Sequence, residues 1–304
     1  MPSTSSTLPD TTPPLKLRPV AMVVPPPPIH WVGDGFRVHG YMSAFPNAMV
    51  RMSPFLMLDY HAPHTYTGTE RPRGVGVHPH RGFETVTLAW EGRLAHHDST
   101  GAGGIIGPGD VQWMTAASGI LHKEYHEASW AKQGGRMHMA QLWVNLPSSH
   151  KMAKPGYQPI LASEMGRVDL GGSSSVRVIA GEYAGVRGPA RTVTKVTVLD
   201  ARLAAGATFE LPCPSRENLA VLVMAGAITV HGTTHAGEGS FVLFANEGER
   251  VSLMANEAAH LLLLGGEPIN EPIAAYGPFV MNTRDEIVRA FEDFNRGAFG
   301  FLAD

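Results

Sequence analysis

At 304 residues the chain has room for two domains of ordinary size, and 43% hydrophobic residues supply a core for each. A formal net charge of −3, with no basic run longer than a few residues, gives no electrostatic reason for direct nucleic-acid binding. No apolar run approaches transmembrane length and the N-terminus lacks the charged start and apolar core of a signal peptide, so a cytoplasmic protein with no membrane role is expected.

In chain order, residues 1–15 are Ser/Thr/Pro-rich and too poor in apolar groups to offset the entropy of ordering, which predicts a disordered tail. The run Pro25 to Pro28 reads as a stiff polyproline connector. Beyond it, 34 Gly and 24 Pro punctuate short alternating runs, the pattern of an all-β chain with many turns. Strands are expected at 36–39 and 55–59. Residues 60–74, with His61 and His64, read as a mouth loop without ligand roles.

His78-Pro79-His80 comes next, and His122-Lys123-Glu124 follows after more strands and turns. Residues i and i+2 of a strand share a face, so each triplet offers two ligands to one side. If both strands face the inside of one barrel, three imidazoles and a carboxylate converge, which reads as a metal site. Glu84 competes with Glu124 for the carboxylate position, but Gly82 between His80 and Glu84 invites a bulge that would break the parity.

Between the triplets, 83–90 alternates with Val86, Leu88 and Trp90 on one face, Glu91-Gly92 is a hairpin turn, and 94–99 returns. His96-His97 is a weaker candidate, since adjacent residues face opposite sides and neither has an i+2 partner. Turns at 101–104 and 107–110 lack the Lys-Ser/Thr of a phosphate loop. Strands at 111–115, 121–127 and 137–146 suffice to close one barrel or jelly roll. His126 shares the parity of His122 and Glu124 but lies farther along, in a supporting role or none.

A polar connection runs over 148–172, with 157–163 read as a crossing segment rather than a core strand. A second set of strands follows from Val176, at 191–199, 207–211, 220–231, 240–245 and 251–264. This half has no HxH or HxE, and His231 with His235 would need a helix to share a face, so no metal is expected there. Cys213, the single cysteine, has no internal disulfide partner and no adjacent His or Lys, and reads as an ordinary thiol in a reducing compartment. The chain ends in one helix, capped by Asn282 or Thr283, with Ile287, Phe291 and Phe294 on its apolar stripe. The resulting division is an N-terminal metal-binding domain at 16–150, a linker at 151–172, and a metal-free C-terminal domain at 173–304.

The segments HPHRGFETV, PGDVQWMTA, GILHKE, QLWVNLP and, near the C-terminus, PFVMNT resemble the pirin family of the cupin superfamily. The resemblance runs from about Phe55 to Phe294. It implies a bicupin: two antiparallel β-barrel domains, the first binding iron through three His and one Glu. Carried over position by position, those ligands fall on His78, His80, His122 and Glu124. His122 lies thirteen residues after Gly109, a departure from the general cupin spacing that pirins share.

Mixed imidazole and carboxylate donors suit Fe(II), and also Mn, Ni, Cu or Zn. With iron, open positions would let a substrate oxygen and O2 meet, with Glu124 as the catalytic base. The resemblance implies a flavonol such as quercetin as substrate, cleaved by 2,3-dioxygenation. The alternative it implies is an iron-dependent redox regulator that binds a transcription factor or a metabolic enzyme. An isomerase or lyase of the wider superfamily is a weaker third reading.

Overall fold

The computed structural model describes residues 15–303. The expected disordered tail, apart from Leu15, lies outside the described residues. The expected all-β design of two barrels is present, each barrel built from one seven-stranded and one four-stranded antiparallel sheet.

In the first barrel the large sheet runs Gly156–Ile160, Val111–Thr115, Phe83–Glu91, Gly134–Asn145, Phe55–Thr67, Phe36–Gly40, Ile29–Val32. The small sheet runs Gly74–His80, Ile120–His126, Leu94–Asp98, Gly103–Ile106. In the second barrel the large sheet is centred on Asn218–Ala225, Ala259–Gly266 and Val196–Leu203, and the small one on Arg250–Ala255.

Several expected boundaries move. The presumed mouth loop is strand as far as Thr67, pairing with Gly134–Asn145 from Phe55↔Val144 to Thr67↔Gly134, and shifts in register absorb the irregularities. Gly156–Ile160 is an edge strand on Val111–Thr115, where Pro159 is tolerated because an edge has one unpaired side. The run at 220–231 is two strands, because Gly226 turns at φ 75° and sits so close that a Cβ would lie 2.3 Å from the Ala258 carbonyl.

The ends of the chain cross over. Val20–Val24 pairs with Phe241–Phe244 and so belongs to the large sheet of the second barrel. At the other end, Phe279 bridges Arg81, and the final helix lies against the first barrel. That helix, Arg284–Asn295, is capped by Thr283, whose hydroxyl accepts from Glu286 N while the Glu286 carboxylate accepts from Thr283 N. Ile287, Phe291 and Phe294 cluster with Phe279 and Phe299. No helix among the described residues is long and apolar enough to cross a membrane.

The two large sheets pack face to face, and their alternation explains the run of hydrophobic residues. Along Asn218–Ala225, Ala220, Leu222 and Met224 enter the core between the barrels, while Val221 and Val223 enter the second barrel. Along Phe83–Glu91, Val86, Leu88 and Trp90 face the inter-barrel core. Thr85 and Thr87, of opposite parity, are left for the inside of the first barrel. Each such Val or Leu contributes about 1.5–3 kcal/mol by burial.

One polar knot crosses this apolar seam. Asp200 accepts from Trp90 Nε1 at 2.9 Å and from His260 Nε2 at 2.6 Å, and is paired with Arg177. Arg177 also donates to the Gly109 carbonyl of the first barrel at 2.9 Å. Burial pushes the Asp200 carboxyl up, but His260 and Arg177 outweigh it and hold the group well below the usual carboxylate range. Asp200→Ala would leave two buried donors, Trp90 and His260, and the half-buried Arg177 without their acceptor and should cost about 3–5 kcal/mol of unfolding free energy, read by denaturant titration; a loss below about 1 kcal/mol would show that the knot contributes no more than a surface pair.

Acid should loosen the fold in a defined window. Burial pushes the His61 imidazole down to about 4 and the His138 imidazole down to about 3. In the unfolded chain both titrate near 6.5, so from pH about 6.5 down to about 4 the unfolded state binds more protons and stability falls. At about 1.4 kcal/mol per unit, His61 alone accounts for a loss of about 3 kcal/mol. The double variant H61Q/H138Q should reduce the slope of unfolding free energy across that window without abolishing it, since burial also holds His80 and His96 low, and an unchanged slope would assign it elsewhere.

Candidate metal centre

The small sheet of the first barrel brings the two triplets together. Gly74–His80 and Ile120–His126 are antiparallel neighbours in which His122 lies directly opposite His78, and Ile120 opposite His80. His80 follows His78 by two residues, so all three imidazoles share one face. Their ring centroids are 4.2 Å (His78–His122), 4.7 Å (His80–His122) and 4.8 Å (His78–His80) apart. One ring nitrogen from each lies within 4.8 Å of the others. Burial along Ile120–His126 alternates strictly, with Ile120, His122, Glu124 and His126 buried and the residues between them half-exposed.

Each imidazole has its Nδ1 occupied. His78 Nδ1 is 2.8 Å from the Gly76 carbonyl, His80 Nδ1 is 3.4 Å from the Pro278 carbonyl, and His122 Nδ1 is 3.1 Å from His96 Nε2. A carbonyl can only accept, so Nδ1 of His78 and His80 carries the proton and Nε2 the lone pair. His122 Nε2 is buried with no hydrogen-bond partner. Burial pushes His80 down to about 3 and His122 well below the ordinary histidine range, helped by the neighbouring imidazoles. Neutral imidazoles with converging lone pairs are the form in which histidine binds a metal.

Pro278 belongs to the PFVMNT segment, nearly two hundred residues from His80, and the fold shows what holds it there. Arg81 donates to the Ser118 carbonyl at 2.7 Å, pairs with Asp293 of the final helix at 2.8 Å and lies over the Phe299 ring at 4.7 Å. Lys151, fully buried, donates to the carbonyls of Gly82 at 2.8 Å and Val280 at 3.0 Å. Gly82, at φ 90°, has the Val280 carbonyl where a Cβ would lie 1.9 Å away, so only glycine permits this approach.

The carboxylates divide. A register shift between His122 and Glu124 sets Glu124 opposite Val75 on one side and His96 on the other. Its carboxylate accepts from Gln141 Nε2 at 3.0 and 2.8 Å and from Thr87 at 3.4 Å, and it lies outside the 4.8 Å set of the three imidazoles. Glu84 sits in the other sheet, beyond the Gly82 turn, with the parity of Val86 and Trp90. It accepts from Thr115 at 2.6 Å, and burial raises its pKa.

The remaining histidines separate by partner. His61 is not in a mouth loop but fully buried in a strand, 2.8 Å from the Tyr66 hydroxyl. His126 meets the Gly35 carbonyl at 2.9 Å amid Phe36, Tyr66 and Trp130. In the second barrel His231 bonds the Arg18 carbonyl and His235 the Thr229 hydroxyl, on separate elements. His96 is buried and reaches behind His122, while His97 is exposed. Sequence spacing alone missed Gln141 and Pro278 and offered His96 only as a weaker ligand candidate rather than a partner of His122, because each is joined to the site by strand register or by a return of the chain.

The donor set fits a divalent transition cation: three imidazole nitrogens of fixed orientation, one of them a buried orphan, with a carboxylate two residues along the strand from His122. Comparison with known proteins identifies the family. Residues 35–144 match the Pirin family and residues 198–300 the Pirin C-terminal cupin domain. A Pseudomonas aeruginosa protein provisionally named a quercetin 2,3-dioxygenase is 50% identical over 271 residues, 89% of this chain and 94% of its own length. A pirin-like protein of Caulobacter vibrioides is 40% identical over 94% of this chain and all of its own. The crystal structure of a quercetin 2,3-dioxygenase from Acinetobacter baumannii superposes with a TM-score of 0.91 at 44% identity, covering 94% of this chain and 100% of that one. Matches to both halves, full-length relatives and a shared two-barrel architecture show that the chain belongs to the pirin family.

Proposed function

We propose that this protein is a metal-dependent dioxygenase that uses O2 to open a flavonol such as quercetin, with Fe(II) as its resident ion and the cytoplasm as its compartment. The observation that carries the reading is the set of three imidazoles within 4.8 Å, one presenting a buried Nε2 without a partner. The names of the 50% and 44% identical relatives support the substrate class. The one cysteine, Cys213, is buried and free of any disulfide, which suits a reducing compartment.

In this reading His78, His80 and His122 hold the ion and Glu124 completes the set. The bound ion would supply positions where a flavonol oxygen and O2 meet. The protein's own part is positional. Gln141 donates to both oxygens of Glu124 and orients the carboxylate toward the barrel interior, where it accepts the proton of a flavonol hydroxyl. The Pro278 carbonyl and the helix behind it fix His80. Thr85, Thr87 and Gln112 place buried polar groups inside this barrel beside an apolar cluster of Phe36, Val38, Leu94, Ile106 and Met139, whereas the second barrel is filled by Val, Leu and Phe side chains.

Protein purified without oxygen and loaded with iron should hold about one ion per chain and consume one O2 per quercetin. His122→Ala should weaken iron binding by roughly 100-fold or more, beyond the loss expected from an outer hydrogen-bond partner. Glu124→Ala should abolish O2 uptake, while Glu84→Ala should retain the ion. Iron bound without any flavonol-dependent O2 uptake would sink the dioxygenase reading and bring forward the redox-regulator alternative. Iron retained by His122→Ala would sink the site itself.

A further inference from the structure

Of the three imidazoles, two rest on carbonyl oxygens and one rests on another imidazole. That difference matters for the proton. A neutral imidazole carries one N–H and one lone pair, and whichever nitrogen binds an ion must be the one without the proton. For His78 and His80 the Gly76 and Pro278 carbonyls settle the matter, since they accept and never donate. For His122 the neighbour is His96 Nε2, 3.1 Å from Nδ1, a nitrogen able to play either part.

Only one of the two arrangements leaves His122 able to bind. If His96 carries its proton on Nδ1, itself buried without a partner, its Nε2 accepts from His122 Nδ1–H, and the lone pair of His122 is left on Nε2, which is also buried and unpartnered. If His96 carries its proton on Nε2, it donates to His122 Nδ1, and the proton of His122 moves to Nε2 and faces the other two histidines. His96 therefore decides whether the third ligand is available. We propose that His96 is a positioning residue that selects the Nδ1–H tautomer of His122 and fixes its ring plane, and so sets the affinity of the three-histidine site for a divalent transition cation. This rests on the metal reading above.

The placement of His96 is built rather than incidental. It lies in the strand Leu94–Asp98, on the far side of Ile120–His126 from His78, and directly opposite Glu124. Strand alternation buries His96 and exposes His97. Its ring stacks on Tyr157, with planes 4° apart and centroids 5.6 Å apart. Tyr157 comes from the edge strand Gly156–Ile160, so the large sheet of the barrel clamps the imidazole that orients a ligand on the small one. A flat stack leaves the ring edge, and hence Nε2, aimed at His122.

The test uses Co(II) as the probe, titrated against a competing chelator into the full chain and followed by its visible absorption. His96→Leu keeps an apolar filler without an acceptor, and His96→Gln restores an acceptor oxygen. We expect wild type to bind, His96→Leu to bind about 10–100-fold more weakly with an altered Co(II) spectrum, and His96→Gln to return close to wild type. Equal affinity of His96→Leu and wild type overturns the proposal, and so does equal weakening of both variants, which would make the role one of packing. If wild type itself does not bind Co(II), the metal reading fails and this inference with it. Should His96→Leu not fold, nitrogen NMR of the metal-free wild type decides independently: a proton on His96 Nδ1 with one on His122 Nδ1 supports the assignment, and a proton on His96 Nε2 overturns it.

Discussion

Residues directly opposite one another in an antiparallel pair share a face, and the pairing of His122 with His78 is the constraint on which the site depends. It places two imidazoles side by side, and the two-residue period of the strand adds His80 as a third. A register slip of one residue would send His122 to the outer face and bring Lys123 inward. The alternation of burial along Ile120–His126, from apolar Ile120 to His126 packed among aromatics, locks that register.

The inside of the first barrel can hold polar groups beside its apolar cluster of Phe36, Leu94, Ile106 and Met139 because its large sheet turns much of its apolar face outward. Val86, Leu88 and Trp90 pack against the second barrel, with Leu222, Leu262 and Leu264 across the seam. The opposite face of the same strand then offers Thr85 and Thr87 to the interior. In the second barrel both faces are apolar, with Leu261 and Leu263 turned inward and Leu262 and Leu264 outward. The first barrel thus keeps polar side chains on the inner face of its large sheet, and the second supplies the hydrophobic surface packed against the outer face. The crossing of the chain ends reinforces this division: Val20–Val24 completes the second barrel's sheet, and Pro278 reaches back to His80.

Around the cluster, orientation comes from hydrogen-bond partners of three kinds. Carbonyl oxygens face two of the imidazoles, a fourth imidazole faces the third, and the Gln141 amide donates to both oxygens of the carboxylate. The polar atoms near the site are therefore held by the fold before any ion or substrate arrives, the pre-organisation that electrostatic catalysis requires.

Much of this was legible in the chain. The strand content, many of the turn positions, a helix capped by Asn282 or Thr283 with Ile287, Phe291 and Phe294 on its stripe, and the shared face of the two triplets all follow from local periodicity and turn chemistry, which act within a few residues. The sequence motifs also pointed to the family. What tertiary structure alone decided was every relation between distant segments: that residues 60–67 are strand because Gly134–Asn145 pairs with them, and that Val86 faces a second barrel rather than its own interior. It decided as well that His96 stands behind His122, that Gln141 holds Glu124, and that Pro278 meets His80. Local pattern sets which face a side chain takes, but which strand lies opposite depends on long-range pairing, and no spacing along the chain encodes that partner.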